Sequence, residues 1–163
     1  MTIHMLLIGY VVFTRLAELF IARRNTRRLL VTGGYEVGSS HYPLIVLFHV
    51  VWIIALIILV PTHTPPAFHF LALFLFTQAL RYWVIISLSA RWTTRIIVLP
   101  GSPLVSTGPY RWLRHPNYLV VVSEIALLPL IFGAWEIALG FSIVNALLLS
   151  YRIRIENNAL ANL

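Results

Sequence analysis

The residues best suited to chemistry in this sequence are concentrated in one stretch, Gly108 to Tyr118, which reads GPYRWLRHPNY. It contains two arginines, one histidine, two prolines and three aromatic residues. Aromatic rings can hold a cation against their faces. Prolines fix φ and remove backbone N–H donors, which leaves nearby carbonyls free to accept hydrogen bonds. A plain connector could be shorter and less rich in such side chains, so we interpret this stretch as part of an active site.

The composition indicates that membrane helices must position this stretch. The chain has 163 residues, of which 60% are hydrophobic and 10% are charged, and its mean hydropathy is +0.87. A soluble domain carries roughly a quarter charged residues, so the sequence predicts an integral membrane protein. All twelve basic residues are arginine, and the net charge is +7. Because the arginines stand at the ends of apolar runs, we attribute this charge to the positive-inside rule and expect no nucleic-acid partner.

Five apolar runs predict an all-α, polytopic membrane helix bundle, because a spanning helix needs about 20 mostly apolar residues. The predicted spans, in a single domain of residues 1–163, are 3–22, 44–60, 67–89, 119–132 and 136–150. A loop at 90–118 and a C-terminal segment at 151–160 lie outside the membrane. Ten of the twelve arginines then fall on one side, which the positive-inside rule makes cytoplasmic. The N-terminus is predicted to lie outside and the C-terminus in the cytoplasm.

Four charged residues lie inside the predicted spans: Arg15, Glu18, Arg81 and Glu124. An isolated charge in a bilayer costs several kcal/mol and is by default a functional hypothesis. All four lie at a similar depth, roughly 8 to 12 Å from the cytoplasmic end of their helix at 1.5 Å per residue. Two positive and two negative charges can therefore neutralise one another in one layer. Two interpretations stay open: a salt-bridge cluster that locks three helices together, or the polar floor of a pocket that opens toward the loop.

Other polar residues receive structural interpretations. We interpret Arg91, Trp92 and Arg95 as interfacial anchors, and His41 as either a cap-region residue or a substrate-side group. Cysteine is absent from the chain. Metal-ligand spacing is also missing among the remaining histidines, so we predict no metal site. These histidines are His4, His49, His63 and His69.

Three motifs occur together in the C-terminal part of this chain. They are Leu104-Val105 with Gly108-Pro109-Tyr110, then Arg114-His115-Pro116-Asn117-Tyr118, and later Arg152-Ile153-Arg154-Ile155-Glu156. This combination resembles the isoprenylcysteine carboxyl methyltransferase family of membrane methyltransferases. The resemblance covers residues 100–160. A lone His-Pro pair would mean little, whereas the three motifs at this spacing are specific.

The resemblance implies an enzyme that binds S-adenosylmethionine between the loop and the ends of the last helices. It implies that Arg152 is the catalytic residue, near the accepting group of the substrate. Glu156 shares a helix face with Arg152 at i, i+4 spacing. The family often has a second glutamate after this position, where this chain has Asn157. The implied cofactor-binding residues are Ser102, Pro103, Leu104, Val105, Tyr110, His115, Pro116, Asn117, Tyr118 and Glu156.

The methyl acceptor is predicted from two observations. No histidine–carboxylate pair stands out as a general base, which favours an acceptor that ionises near neutral pH. The segments RLAELFIARRN and QALRYWVI resemble those of short bacterial family members associated with type III polyketide synthases. That resemblance implies O-methylation of a long-chain alkylpyrone or phenolic lipid, in a bacterial plasma membrane. The predicted partners are therefore a lipophilic small molecule and the lipid bilayer.

Three alternatives to this acceptor or activity stay open. One is carboxyl methylation of a prenylated cysteine. Sterol-type membrane reductases share related helices, so an NADPH-dependent reductase is the second. A non-catalytic membrane scaffold, in which every motif residue is an anchor, is the third. The sequence predicts no oligomeric state.

Overall fold

A computed structural model describes residues 2–61 and 63–161 of the chain. These residues form five α-helices, two short strands and three 3-10 turns. The turns are Ser39–His41, Ser89–Arg91 and Gly108–Arg111. The longer elements are α1 (Ile3–Val31), β1 (Tyr35–Val37), α2 (Tyr42–Leu59), α3 (Phe68–Leu88), β2 (Ile96–Val98), α4 (Pro116–Leu130) and α5 (Trp135–Ala161). The predicted all-α, polytopic membrane helix bundle is confirmed.

The helices alternate in direction across the bundle. Four of the described helices, α1, α2, α3 and α5, are long and apolar enough to cross a membrane, and α4 is a shorter apolar helix. The backbone N–H of Ala67 donates to the carbonyl of Ile131 at 2.8 Å, so α3 begins where α4 ends. His4 Nε2 donates to the carbonyl of Leu56 at 3.1 Å, so α1 begins where α2 ends. We call the opposite end, where residues 89–115 connect α3 to α4, the loop end of the bundle.

Three helices differ in length from the predicted spans. Helix α1 continues through the arginine-rich segment to Val31 and stops only before Gly33, whose φ is +94°. Arginine is a good helix former, so the end of the apolar run at residue 22 is not the end of the helix. Helix α5 likewise continues to Ala161, which places residues 151–160 in a helix. Helix α4 begins at Pro116, a position at which proline is tolerated, instead of residue 119.

The two strands form a small antiparallel sheet at the loop end, with Tyr35 opposite Val98 and Val37 opposite Ile96. The β2 sequence Ile-Ile-Val is typical of a strand. Arg95 and Glu36 form a salt bridge at 2.8 Å beside this pairing. Strands of three residues are too short for a periodicity to reveal, so the sequence did not predict them. The sheet ties the segment after α1 to the segment after α3.

The bundle packs around an apolar core and presents apolar side chains outward as well. Val11, Trp52 and Phe74 are fully buried between the helices. Phe13 and Ile86 are exposed on the outer surface. A helix that is apolar on all sides fits a bilayer, where the outward face meets lipid instead of water. The sequence and the helices together describe a multi-pass membrane protein.

The four charged residues predicted inside the membrane meet across three helices, and we call them the charge layer. Arg81 Nη1 donates to Glu18 Oε2 at 3.1 Å, and its Nη2 donates to Glu124 Oε2 at 2.8 Å. Arg15 Nη1 donates to Glu18 Oε2 at 2.7 Å, and Arg15 Nη2 contacts Glu124 Oε2. Gln78 Nε2 donates to Glu124 Oε1 at 3.0 Å. These contacts confirm the prediction that the four charges neutralise one another in one layer.

Candidate active site

A cavity of about 360 Å³ lies at the loop end, between residues 88–118 and the last turns of α5, and we call it the loop cavity. Arg152 and nine of the ten residues predicted to bind the cofactor line it. Pro116 is the exception, because its ring is buried in the first turn of α4. Its role is to start the helix that presents the residues on either side of it. The nine are Ser102, Pro103, Leu104, Val105, Tyr110, His115, Asn117, Tyr118 and Glu156.

The 3-10 turn Gly108–Arg111 brings Tyr110 to the cavity. Gly108 has a φ of +59°, and a Cβ built on it would lie 2.1 Å from Ser87 Oγ. Only glycine fits there, because the turn packs directly on α3. The Tyr110 ring packs near Trp92 and Val84. Burial, with a smaller contribution from the Glu156 carboxylate, raises the pKa of Tyr110, so this phenol stays neutral at physiological pH.

Arg152, Tyr118 and Glu156 form one hydrogen-bonded chain at the base of the cavity. Arg152 Nε donates to the hydroxyl of Tyr118 at 2.9 Å, and that hydroxyl donates to Glu156 Oε2. Arg152 Nη2 donates to the backbone carbonyl of Thr94 at 2.8 Å. Arg152 is buried, with 8% of its surface exposed. The guanidinium is therefore held on two sides, and Tyr118 connects the two residues of α5 that share one helix face.

His115 is held by Asn157, the residue at which this chain departs from the family pattern. Its Nε2 donates to Asn157 Oδ1 at 3.1 Å. Its Nδ1 lies 3.8 Å from Glu156 Oε2, and its ring lies 5.4 Å from the ring of Tyr118. The Asn157 amide therefore orients His115.

Several residues of this site were missed or misjudged in the sequence. Arg91 donates to the carbonyl of Pro103 in the lining of the loop cavity, and Arg95 pairs with Glu36, so neither is a simple interfacial anchor. Trp92 is buried, with 3% of its surface exposed, because it packs against α1 and α3 and lies between two cavities. The interfacial interpretation of Trp92 is wrong. An arginine or tryptophan beside an apolar run gives no sequence signal that separates an anchor from a cavity wall.

His41 lies next to this region without lining it. It ends the turn Ser39–His41 and precedes α2, and its ring packs edge-on against Tyr151 with centroids 5.7 Å apart. No side-chain capping bond is formed. Of the two interpretations of His41, these contacts favour the cap-region position.

A second cavity, also of about 360 Å³, lies inside the bundle beside the charge layer, and we call it the membrane cavity. It is lined mainly by apolar residues of α1, α2 and α5, and by Arg15, Glu18 and Arg81. The two cavities share five lining residues at their boundary. These are Trp92, Thr93, Asn117, Tyr118 and Arg152. Arg152 thus lies at the boundary between the loop cavity, which has more polar lining residues, and the mostly apolar membrane cavity.

Within residues 2–61 and 63–161, no three residues of the types His, Cys, Asp or Glu are grouped closely enough to hold a metal ion.

Comparisons with known proteins identify related sequences over most of the chain. A model of the isoprenylcysteine carboxyl methyltransferase (ICMT) family matches residues 70–162. The Bacillus subtilis (strain 168) protein "Uncharacterized protein YpbQ" is 43% identical over 159 residues, which is 95% of each chain. An uncharacterized protein of Haemophilus influenzae (strain ATCC 51907 / DSM 11121 / KW20 / Rd) is 28% identical over 154 residues, 91% of this chain and 90% of that one. No solved structure matches this chain.

Proposed function

Because the chain belongs to the isoprenylcysteine carboxyl methyltransferase family, which makes it a membrane methyltransferase, we propose that it is an S-adenosylmethionine-dependent O-methyltransferase. Its acceptor is a lipophilic acid, a long-chain alkylpyrone or phenolic lipid. The observation that carries this proposal is the pair of adjoining cavities, with Arg152 and Tyr118 lining both. One cavity suits a polar cofactor, and the other suits the apolar part of a lipid.

The residues of the loop cavity fit S-adenosylmethionine by charge and by size. Glu156 is the one carboxylate among the lining residues and suits a ligand with positively charged sulfonium and ammonium groups. Arg91 and Arg114 line the same cavity and suit the carboxylate of the methionine part. Leu104 and Val105 supply apolar surface for the adenine ring. A volume of about 360 Å³ lies within the usual range of ligand sites.

The protein side chains then bind and orient the reactants. When bound, S-adenosylmethionine supplies an electrophilic methyl group, whose bond to sulfur breaks as its bond to the acceptor oxygen forms. Arg152 holds the anionic acceptor at the boundary between the cavities, and its bonds to Tyr118 and Thr94 keep its guanidinium from turning away. An anionic oxygen has no proton to lose, so no general base is required. Arg152 is itself buried, which suits a site in which the acceptor oxygen is shielded from water.

An acidic 4-hydroxypyrone with an alkyl tail matches this arrangement. Its enolate carries the negative charge that Arg152 binds, and its tail suits the apolar walls of the membrane cavity. A prenylated cysteine also joins an acid to an apolar chain. The structure therefore suits both acceptors, and an experiment must distinguish between them. The arginines at the loop end indicate a cytoplasmic loop cavity by the positive-inside rule. We place the protein in a bacterial plasma membrane with this orientation.

Cofactor binding tests the first half of this proposal. Labelled S-adenosylmethionine is titrated onto the purified protein in nanodiscs of neutral lipid. We expect saturable binding that Glu156→Gln weakens roughly 10- to 100-fold, because a charge-assisted contact is lost. Glu136→Gln is the matched control, since Glu136 is exposed near the start of the same helix and lines neither cavity. Saturable binding of NADPH, for which the arginines of the lining are also suited, would point to a reductase instead.

Methyl transfer tests the second half. The protein is incubated with methyl-labelled S-adenosylmethionine and a 4-hydroxy-6-alkyl-2-pyrone, and the lipid extract is examined by mass spectrometry. We expect an O-methylated pyrone that Arg152→Leu abolishes. A parallel incubation contains a farnesylcysteine in place of the pyrone. Methyl label on the farnesylcysteine carboxylate alone would show that the acceptor is a prenylated cysteine instead. Protein that binds neither cofactor and transfers no methyl group would favour the scaffold.

A further inference from the structure

Among the polar side chains that line the membrane cavity are Asn145 of α5 and His49 of α2, which belong neither to the charge layer nor to the proposed transfer. Asn145 has 2% of its surface exposed. Asn145 lines the membrane cavity, and in the described part of the chain its amide forms no hydrogen bond with another residue. Burying an unpaired amide is unfavourable. An amide that lines a cavity at this cost is suited to bind what enters the cavity.

His49 presents a hydrogen-bond acceptor to the same cavity. Its Nδ1 donates to the backbone carbonyl of Ile45 at 2.8 Å. In a neutral imidazole with a proton on Nδ1, the other nitrogen Nε2 is an acceptor. The ring lines the membrane cavity. The cavity therefore offers the Nε2 acceptor of His49 together with the donor and acceptor of the Asn145 amide.

Helix geometry places these two side chains at the same depth. Thr94 connects the start of α2 to α5. Its hydroxyl lies 3.0 Å from the hydroxyl of Tyr42, the first residue of α2. Its backbone carbonyl accepts a hydrogen bond from Arg152 Nη2 of α5 at 2.8 Å. His49 follows Tyr42 by seven residues, and Asn145 precedes Arg152 by seven residues. Seven residues are two helical turns, or about 10 Å along the axis. Because the two helices run in opposite directions, both side chains lie about 10 Å deeper than Arg152.

We propose that His49 and Asn145 form a second recognition point, which binds a hydroxyl group within the apolar chain of the acceptor. A hydroxyl satisfies both residues at once, because it donates to His49 Nε2 and accepts from the Asn145 amide. The preferred ligand is then an amphiphile with an acidic end at Arg152 and a hydroxyl about 10 Å along its chain. This inference rests on the proposed function in taking Arg152 as the residue that holds the acidic end.

Binding of hydroxylated fatty acids tests this inference without any methyl transfer. Stearate and its positional hydroxy isomers are titrated onto the full chain in nanodiscs of neutral lipid, in the absence of S-adenosylmethionine. We expect one or two adjacent mid-chain isomers to bind roughly two- to tenfold more tightly than stearate, as one or two hydrogen bonds allow. Asn145→Leu and His49→Phe should each remove this preference, so that stearate and its hydroxy isomers bind each variant with equal affinity. The control is Ser150→Ala, which removes a hydroxyl from α5. Ser150 is exposed and lines neither cavity.

Thermal unfolding of the ligand-free protein separates recognition from a structural role. An unpaired buried amide does not support the bundle, so Asn145→Leu should unfold at the same temperature as the parent protein or a higher one. A clear fall in that temperature, or loss of the folded protein, would overturn the inference. So would an equal affinity for stearate and all its hydroxy isomers, or a preference that persists in both variants.

The two proposals fail in different ways. Methyl transfer to the pyrone without any hydroxyl preference would contradict only the second recognition point. A hydroxyl preference that is lost in Asn145→Leu, in a protein that transfers no methyl group, would support the recognition point and contradict the proposed reaction.

Discussion

Replacement of Arg81 by leucine tests what the charge layer does for the fold. Arg81 has 1% of its surface exposed and donates to Glu18 and Glu124, which are almost as deeply buried. The substitution leaves Arg15 as the only cation of the layer beside two carboxylates, so one negative charge is uncompensated. Leucine fills part of the space without supplying any hydrogen bond. The change therefore removes one positive charge together with its hydrogen bonds to Glu18 and Glu124.

The expected magnitude follows from this count of charges. Breaking a buried ion pair by removing one partner costs about 3 to 5 kcal/mol. For a chain of this length, 1 kcal/mol corresponds to about 2 to 4 °C, so Arg81→Leu should lower the unfolding temperature by about 6 to 20 °C. Adding Glu124→Gln makes the layer neutral again. The double variant should be more stable than the sum of the two single effects predicts, by about 0.5 to 3 kcal/mol.

The assay is thermal unfolding in nanodiscs of neutral lipid, followed by intrinsic tryptophan fluorescence, with expression level as a second readout. Arg111→Leu is the control, because Arg111 is exposed and forms no part of the charge layer. An Arg81→Leu protein that unfolds like this control would refute the structural role. If that protein also lost methyl transfer, the charge layer would belong to the acceptor site alone.

Two further substitutions test the geometry of the loop cavity. Gly108→Ala should weaken the binding of labelled S-adenosylmethionine more than Gly101→Ala does. Both glycines have a positive φ, but only Gly108 is crowded, by Ser87. Equal effects of the two substitutions would contradict the close approach of the turn to α3. Tyr118→Phe removes the acceptor of Arg152 Nε and should slow methyl transfer at saturating cofactor roughly tenfold or more. An unchanged rate would mean that Arg152 is positioned without this bond.

The parts of the fold that could be predicted are those set by hydrophobicity over long segments. Apolar runs identify the membrane helices because a bilayer demands about 20 apolar residues in each span. The same criterion cannot find where α1 ends, since the helix at residues 23–31 continues in polar sequence. It also cannot find β1 and β2, which pair through backbone hydrogen bonds across a separation of about 60 residues. Local patterns contain no information about such pairings.

The candidate site shows the same division. Motif residues such as Tyr118 and Glu156 could be predicted by family resemblance, because their types and spacing recur together. The backbone carbonyl of Thr94 could not, because a carbonyl is present in every residue and only the fold selects one. His49 and Asn145 could not be predicted either. Each is a single polar residue in an apolar helix, and only the shape of the membrane cavity brings them together.

The charge layer and the site depend on the same short helix. Glu124 anchors α4 to α1 and α3 through its contacts with Arg15 and Arg81. The first turn of that helix supplies Tyr118, which stands between the two cavities. Arg15 and Arg81 also line the membrane cavity themselves. The sequence left two interpretations of the charge layer open, a lock between helices and the floor of a pocket. Both describe the same residues, because the arginines that fix α4 through Glu124 also line the membrane cavity.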